Sequence, residues 1–164
     1  MIRAPFLPRG LIHLVDLASS AASLSDVAGV QWLDWFGDGS LVVVDVGLAC
    51  CALEFEAAAL DVTPQLGRWP AGAQVVVVIS GTVTDRLAPA VAALVDAAAV
   101  LGGRPPQVVS LGACASSGGP YWDSYAVTKG IDQLVEVATY VPGCPPPPEA
   151  LQAVLARLAG RVPA

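Results

Sequence analysis

The chain is poor in the features that most directly mark a function. It has no basic run: 8 Lys and Arg stand against 14 Asp and Glu, for a net charge of −6. A phosphate backbone therefore fits badly as a partner, because nucleic-acid binding rests on clustered cations. It has no uninterrupted apolar span. Asp45, Asp85, Arg86 and Asp96 break the apolar stretches, and Gly, Pro and Ser break the uncharged piece from Pro105 to Trp122, so no membrane-crossing helix is expected. The opening MIRAPFLPRG carries Pro5 and Pro8 where an export signal needs a continuous apolar run, and a reducing compartment is the resulting expectation. The Cys-x2-4-Cys knuckle of structural zinc is missing. The single histidine, His13, lies far from the cysteines on a helical pattern and reads as a polar surface side chain. Charge of either sign is scarce: 13% of residues are charged and 55% apolar, which suggests that something else covers part of the surface.

What is present alternates between two periods. Leu11, Leu14, Val15 and Ala18 recur at helical spacing, Ser23 with Asp26 resembles a capping box, and Trp32, Trp35 and Phe36 would share one helix face. That face either covers the core or meets another subunit or a membrane surface. A helical segment over residues 1–40 is the expectation. After the turn signal Gly37-Asp38-Gly39, strands are predicted at Leu41 to Val46, Val75 to Ile79, Gln107 to Leu111 and roughly Leu134 to Val141. Helices are predicted between them at Ala52 to Leu60, Asp85 to Leu101 and about Ser124 to Gln133, and a last one at Pro148 to about Ala159. The first three strands are nearly continuous in Val, Ile and Leu, as parallel strands covered on both faces are. The reading is a doubly wound α/β domain with a mostly parallel sheet over residues 41–164.

Four cysteines, Cys50, Cys51, Cys114 and Cys144, each follow a predicted strand. In an open α/β sheet the carboxyl ends of the strands share one edge, and sites form there. Three loops would then bring four sulfurs together. A disulfide suits them poorly, since neighbouring cysteines bond only through a strained ring. Zinc suits them poorly without the knuckle. An iron–sulfur cluster accepts thiolates from dispersed positions, each on a different iron. The glycines of LGACASSGGPYW allow the backbone to come close to such a group, and the prolines of VPGCPPPPEA stiffen the exit from Cys144. Cys51 would open a helix whose positive end favours a thiolate. Glu54 is either a first-turn acid or a proton-handling group. Asp85 and Arg86 either open and cap a helix, gate protons or form an interface pair, and Tyr121, Trp122 and Tyr125 either pack in the core or meet a large subunit.

The blocks GLACCALE (Gly47 to Glu54), GTVTDRLAP (Gly81 to Pro89), LGACASSGGPYWDSY (Leu111 to Tyr125), KGID (Lys129 to Asp132) and YVPGCPPPPEAL (Tyr140 to Leu151) occur in an order that resembles the B subunit family of NADH-quinone oxidoreductase, respiratory complex I. That family is related to the small subunits of [NiFe] hydrogenases, and the resemblance covers roughly residues 41 to 160. It implies a flavodoxin-like domain holding the terminal [4Fe-4S] cluster, with Cys50, Cys51, Cys114 and Cys144 as its ligands. It further implies electron delivery to quinone beside a hydrogenase-large-subunit-like partner and other complex I-type subunits, peripheral to the cytoplasmic face of the cell membrane. The chain departs from the family at Ala52 to Glu56, where ALEFE replaces a Met-rich segment near the quinone. Arg68 is the only basic residue in a lead-in to the second strand that is Arg-rich in the family, and a less polar DAAAVLGGRPPQ, Asp96 to Gln107, precedes the third. Two other readings remain: the small subunit of a membrane-bound [NiFe] hydrogenase-like complex, and a non-redox scaffold with a structural metal.

Overall fold

Stiff, β-branched side chains dominate three short runs, and each run becomes a strand packed on both sides. The computed structural model describes residues 30–161. Its strands are β1 (Trp32–Asp34), β2 (Leu41–Gly47), β3 (Pro64–Gln65), β4 (Gln74–Ser80), β5 (Gln107–Leu111) and β6 (Thr139–Val141). Its helices are α1 (Cys51–Ala58), α2 (Ala88–Gly102), α3 (Ala113–Ser117) and α4 (Pro148–Leu158). They form one six-stranded sheet in the order β3-β1-β2-β4-β5-β6. From β2 to β6 every neighbouring pair is parallel, while β1 runs antiparallel to both β2 and β3.

The two-residue period of the strands sorts their side chains between two cores. Val42, Val44 and Val46 of β2 join Val75, Val77 and Ile79 of β4 against Val91, Val95 and Ala98 of α2. Leu41 and Val43 join Val76 and Val78 on the opposite face, against Phe55 of α1 and Leu151 and Leu155 of α4. Fully burying one such side chain contributes about 1.5–3 kcal/mol, so these two layers hold the fold. The chain leaves β2 through α1 toward the β3 edge, then returns to β4 and proceeds through α2 to β5. Outward and return paths thus diverge at the carboxyl ends of β2 and β4, the kind of switch point where open α/β sheets form sites.

Three expectations need correction. Trp32, Trp35 and Phe36 do not share a helix face: Trp32 lies in β1, in the α2-side core, while Trp35 and Phe36 pack on the α1 side. The i, i+3, i+4 spacing fits a helix, but tertiary pairing overrides it, because the Asp34 carboxylate accepts the Gly37 and Gly39 amides (3.1 and 2.9 Å) and closes a turn that docks β1 on β2. No helix spans Ser124 to Gln133. The Thr128 amide donates to Val83 O (3.0 Å) and the Ala126 carbonyl accepts from the Asp85 amide (3.0 Å), an extended pairing with the β4–α2 loop that leaves only a short 3-10 turn at Ile131–Gln133. The fourth predicted strand shrinks to Thr139–Val141, since Leu134, Val135 and Val137 instead pack on the α2-side core. The helical reading of residues 10–29, with its Ser23/Asp26 cap and His13, lies outside the described residues.

Candidate functional site

The carboxyl ends of β2, β5 and β6 each run into a cysteine. β2 ends at Gly47 and Cys50 and Cys51 open α1; β5 ends at Leu111 and Cys114 follows in the first turn of α3; β6 ends at Val141 and Cys144 comes three residues later. All four thiols are free, with Cys50 and Cys144 exposed and Cys51 and Cys114 buried. The structure therefore brings together the four sequence-predicted positions at one edge of the sheet.

Glycine is what permits the convergence. Gly112 has φ +90° and ψ 166°, a conformation essentially reserved for glycine. A Cβ there would stand 2.4 Å from Cys51 Sγ and 3.5 Å from the Gly143 carbonyl oxygen, so all three cysteine loops meet around this one residue. A Cβ on Gly119 would fall 2.9 Å from Cys114 Sγ. The loops are tied by backbone hydrogen bonds: the Gly112 amide donates to Val141 O (2.8 Å) and the Ala113 amide to Gly143 O (2.7 Å). From β4, which carries no cysteine, the Ser80 carbonyl accepts the Leu48 amide at 2.9 Å, and Gly81 lies so close that a Cβ would meet Ala49 N at 2.5 Å.

Electrostatically the edge disfavours a bare thiolate at Cys51. Burial first, then the neighbouring Cys50, Cys114 and Cys144, push the Cys51 thiol up to about 12. A thiolate there needs local positive charge, and bound iron is one source of it. Among the described residues no three His, Cys, Asp or Glu side chains are grouped closely enough to hold one metal ion. A four-iron cluster makes no such demand, because its thiolates attach to four different corners. Four thiols on one edge, with two sulfurs seated where glycine has no Cβ, fit such a group.

Sequence reasoning missed two parts of this edge. The buried Ser110 hydroxyl meets Ser116 Oγ at 3.0 Å, and Ser116 Oγ donates to the Gly112 carbonyl at 2.8 Å, which fixes the turn into α3 from behind. A serine inside an otherwise aliphatic strand was the available signal. Asp45, seen only as a charge that interrupts an apolar run, is a partly buried acid beneath α1, pushed up to about 7 chiefly by burial and then by Glu56, against a lowering contact from Ser80. Glu54 does occupy the first turn of α1. Asp85 does not open α2. It precedes the helix by three residues and accepts from Thr128 Oγ1 at 3.2 Å. Tyr121, Trp122 and Tyr125 are exposed, the last at 98%, so they do not pack in the core.

Residues 44–158 match the family described as NADH ubiquinone oxidoreductase, 20 Kd subunit. The chain is 49% identical over 140 residues to the NADH-quinone oxidoreductase B subunit, form 1, of Salinispora tropica, a match covering 80% of this chain and 71% of that protein. It is 50% identical over 127 residues to the NADH-quinone oxidoreductase B subunit, form 2, of Streptomyces griseus, where the match covers 73% of this chain and 52% of that protein. A solved chain of the membrane-bound sulfane sulfur reductase, an archaeal respiratory membrane complex, is 28% identical, with a TM-score of 0.45 over 56% of this chain and 49% of that one.

Proposed function

From a chain that belongs to the NADH ubiquinone oxidoreductase, 20 Kd subunit family, we infer an electron-transfer subunit of a complex I-type NADH-quinone oxidoreductase. It holds one [4Fe-4S] cluster on Cys50, Cys51, Cys114 and Cys144 and passes single electrons toward quinone at an interface with a hydrogenase-large-subunit-like partner. The observation that carries this reading is the meeting of three cysteine loops around Gly112, whose missing Cβ leaves room for Cys51 Sγ. When bound, the cluster supplies one-electron redox chemistry at a potential set by hydrogen bonds, burial and nearby charge.

The protein's own residues perform the remaining tasks. Gly112 and Gly119 let the backbone approach the sulfurs, Ser116 holds the Gly112 carbonyl, and buried Cys51 and Cys114 keep one side of the site dry while Cys50 and Cys144 face outward. Exposed Tyr121, Trp122 and Tyr125, in the 3-10 turn and loop that follow α3, and Leu53 on α1 offer apolar surface for the large subunit. Among the described residues no helix is long and apolar enough to cross a membrane. Attachment to the cytoplasmic face through partner subunits is part of the same proposal.

The test is iron and sulfide analysis of the anaerobically isolated complex, joined to low-temperature EPR at a series of potentials. About four irons per chain and a signal that appears on reduction are expected, with the signal lost in Cys144→Ser. Far fewer irons, or a centre that takes no electron at any accessible potential, would turn the assignment to a scaffold with a structural metal.

A further inference from the structure

Cys114 rides on α3, a helix of five residues with no side-chain cap on its first turn. Glycines with positive φ bound it on both sides: Gly112 (φ +90°) before it, Gly118 (φ +81°) and Gly119 (φ +54°) after it. A helix of that length does not hold itself, and glycine leaves both of its joints free to turn. The direction in which Cys114 leaves the sheet must be fixed from elsewhere. Two hydroxyls do so from behind. By strand parity Ser110, wholly buried in β5, stands with Val108 on the α2 side, where Ala115 and Ile131 pack. Its Oγ lies 3.0 Å from Ser116 Oγ, and Ser116 Oγ donates to the Gly112 carbonyl at 2.8 Å. A serine hydroxyl carries one proton. Since the proton of Ser116 points at Gly112, Ser110 is the donor of the other bond, and the chain runs one way, from the interior of β5 through Ser116 to the hinge.

Hydrogen bonds donated in series polarise one another, so the two hydroxyls act as one unit. Backbone closes on the same helix from the loop that follows it, where a Cβ on Gly130 would stand 2.8 Å from the Ser116 carbonyl oxygen. Ser117 supplies the contrast. Its hydroxyl makes the same kind of bond, to the Ala113 carbonyl at 3.2 Å, but it is exposed and that bond stays within α3. We propose that Ser110 and Ser116 are positioning residues of the cluster site: their one-way hydroxyl chain locks the glycine-hinged α3 to β5 and thereby decides how firmly Cys114 holds its iron. The idea rests on the cluster reading given above. Both serines act through the Gly112 turn, beside which Cys51 Sγ and the Gly143 carbonyl also lie, so a loosened turn is felt by all three cysteine loops.

The decisive measurement is the rate at which the intact, anaerobically isolated complex loses cluster iron to a ferrous-iron chelator, read together with the EPR line shape of the reduced centre. Ser116→Ala should lose iron about 10–100-fold faster than the wild type, the range typical of residues that orient metal ligands, and should shift the line shape. Ser110→Ala should show a smaller acceleration, because Ser116 keeps its bond to Gly112. The double variant should lose iron no faster than Ser116→Ala, since the two residues act in series. Ser116→Thr keeps the hydroxyl, which can bond back to the same carbonyl, and should restore both readouts. Ser117→Ala should leave both unmoved. Wild-type retention in Ser116→Ala, an equal effect in Ser117→Ala, additive effects in the double variant or no recovery in Ser116→Thr overturns the proposal and leaves the cluster reading standing. Should Ser116→Ala fail to assemble, Ser110→Ala decides, and an iron-loss rate equal to the wild type's overturns the proposal. Absence of cluster iron from the wild-type complex overturns both readings.

Discussion

At the amino ends of the parallel strands the chain closes its sheet with side chains; at the carboxyl ends it closes it with almost none. On the amino edge Gln74 Nε2 donates to Gln107 Oε1 at 2.8 Å, Arg104 reaches the Ala73 carbonyl at 3.0 Å, and Arg161 pairs with Asp38 while stacking on Phe36 at 3.9 Å. On the carboxyl edge Gly81, Gly112, Gly119 and Gly143 all have positive φ, and backbone atoms meet thiols and other loops directly. The first arrangement tolerates exchange, since each partly buried or exposed polar contact contributes only modestly and several share the task. The second does not, because each glycine occupies a place where any side chain collides. One edge therefore serves stability and the other holds a constellation in place.

The contrast can be broken most forcefully at Gly112. Gly112→Ala forces a side chain into backbone that costs about 1–3 kcal/mol for other residues, and aims a methyl group at Cys51 Sγ. We expect a lower denaturation midpoint together with a steep fall in iron per chain, measured by chemical unfolding and metal analysis. Full iron content in that variant would show that the cysteine loops do not need the close approach. On the opposite edge, Gln74→Ala removes one side-chain hydrogen bond between β4 and β5 and should cost about 0.5–1.5 kcal/mol with iron content unchanged. Loss of iron there would mean that the two edges are coupled through the sheet.

The smallest effect is expected at Asp38. Hydrogen bonds from Ser40, and then Arg161, hold its carboxyl down to about 2, from 3.8. A lowered carboxylate adds stability that is present above pH 4 and is lost as the pH falls toward 2. Asp38→Asn should flatten the thermal midpoint over that interval and change nothing near neutrality beyond a slight salt-sensitive loss, because the pair is exposed to solvent. A pH profile identical to that of the parent would remove the amino-edge ion pair from the account.

Much of the edge was readable in advance. Val-rich runs such as Val75 to Ile79 bury both faces, which only a covered parallel strand requires, and a cysteine after such a run must emerge at the carboxyl edge. Residues with two compatible periods were not readable: Trp32, Trp35 and Phe36 satisfy helical spacing, and it is the Asp34 turn and the free edge of β2 that make β1 a strand. The helix expected at about Ser124 to Gln133 failed for a related reason. Gly130, at φ +112°, and amide partners across the chain near Val83 take the segment out of the helical region.

By itself the amino-acid order determined the period of each strand, the α/β class and the identity of the four thiol positions, because those depend on side-chain chemistry and on spacing within one segment. The tertiary structure decided that Gly112 is where three loops meet, that Ser110 and Ser116 brace it, and that Asp45 lies beneath α1 with the Ser80 hydroxyl as its hydrogen-bond partner among the described residues. These are relations between residues about 30 to 65 positions apart for the loops that flank Gly112 and for Asp45 with Ser80. No local pattern records such distances, since they arise only when hydrophobic burial on both faces of the sheet sets the loops side by side.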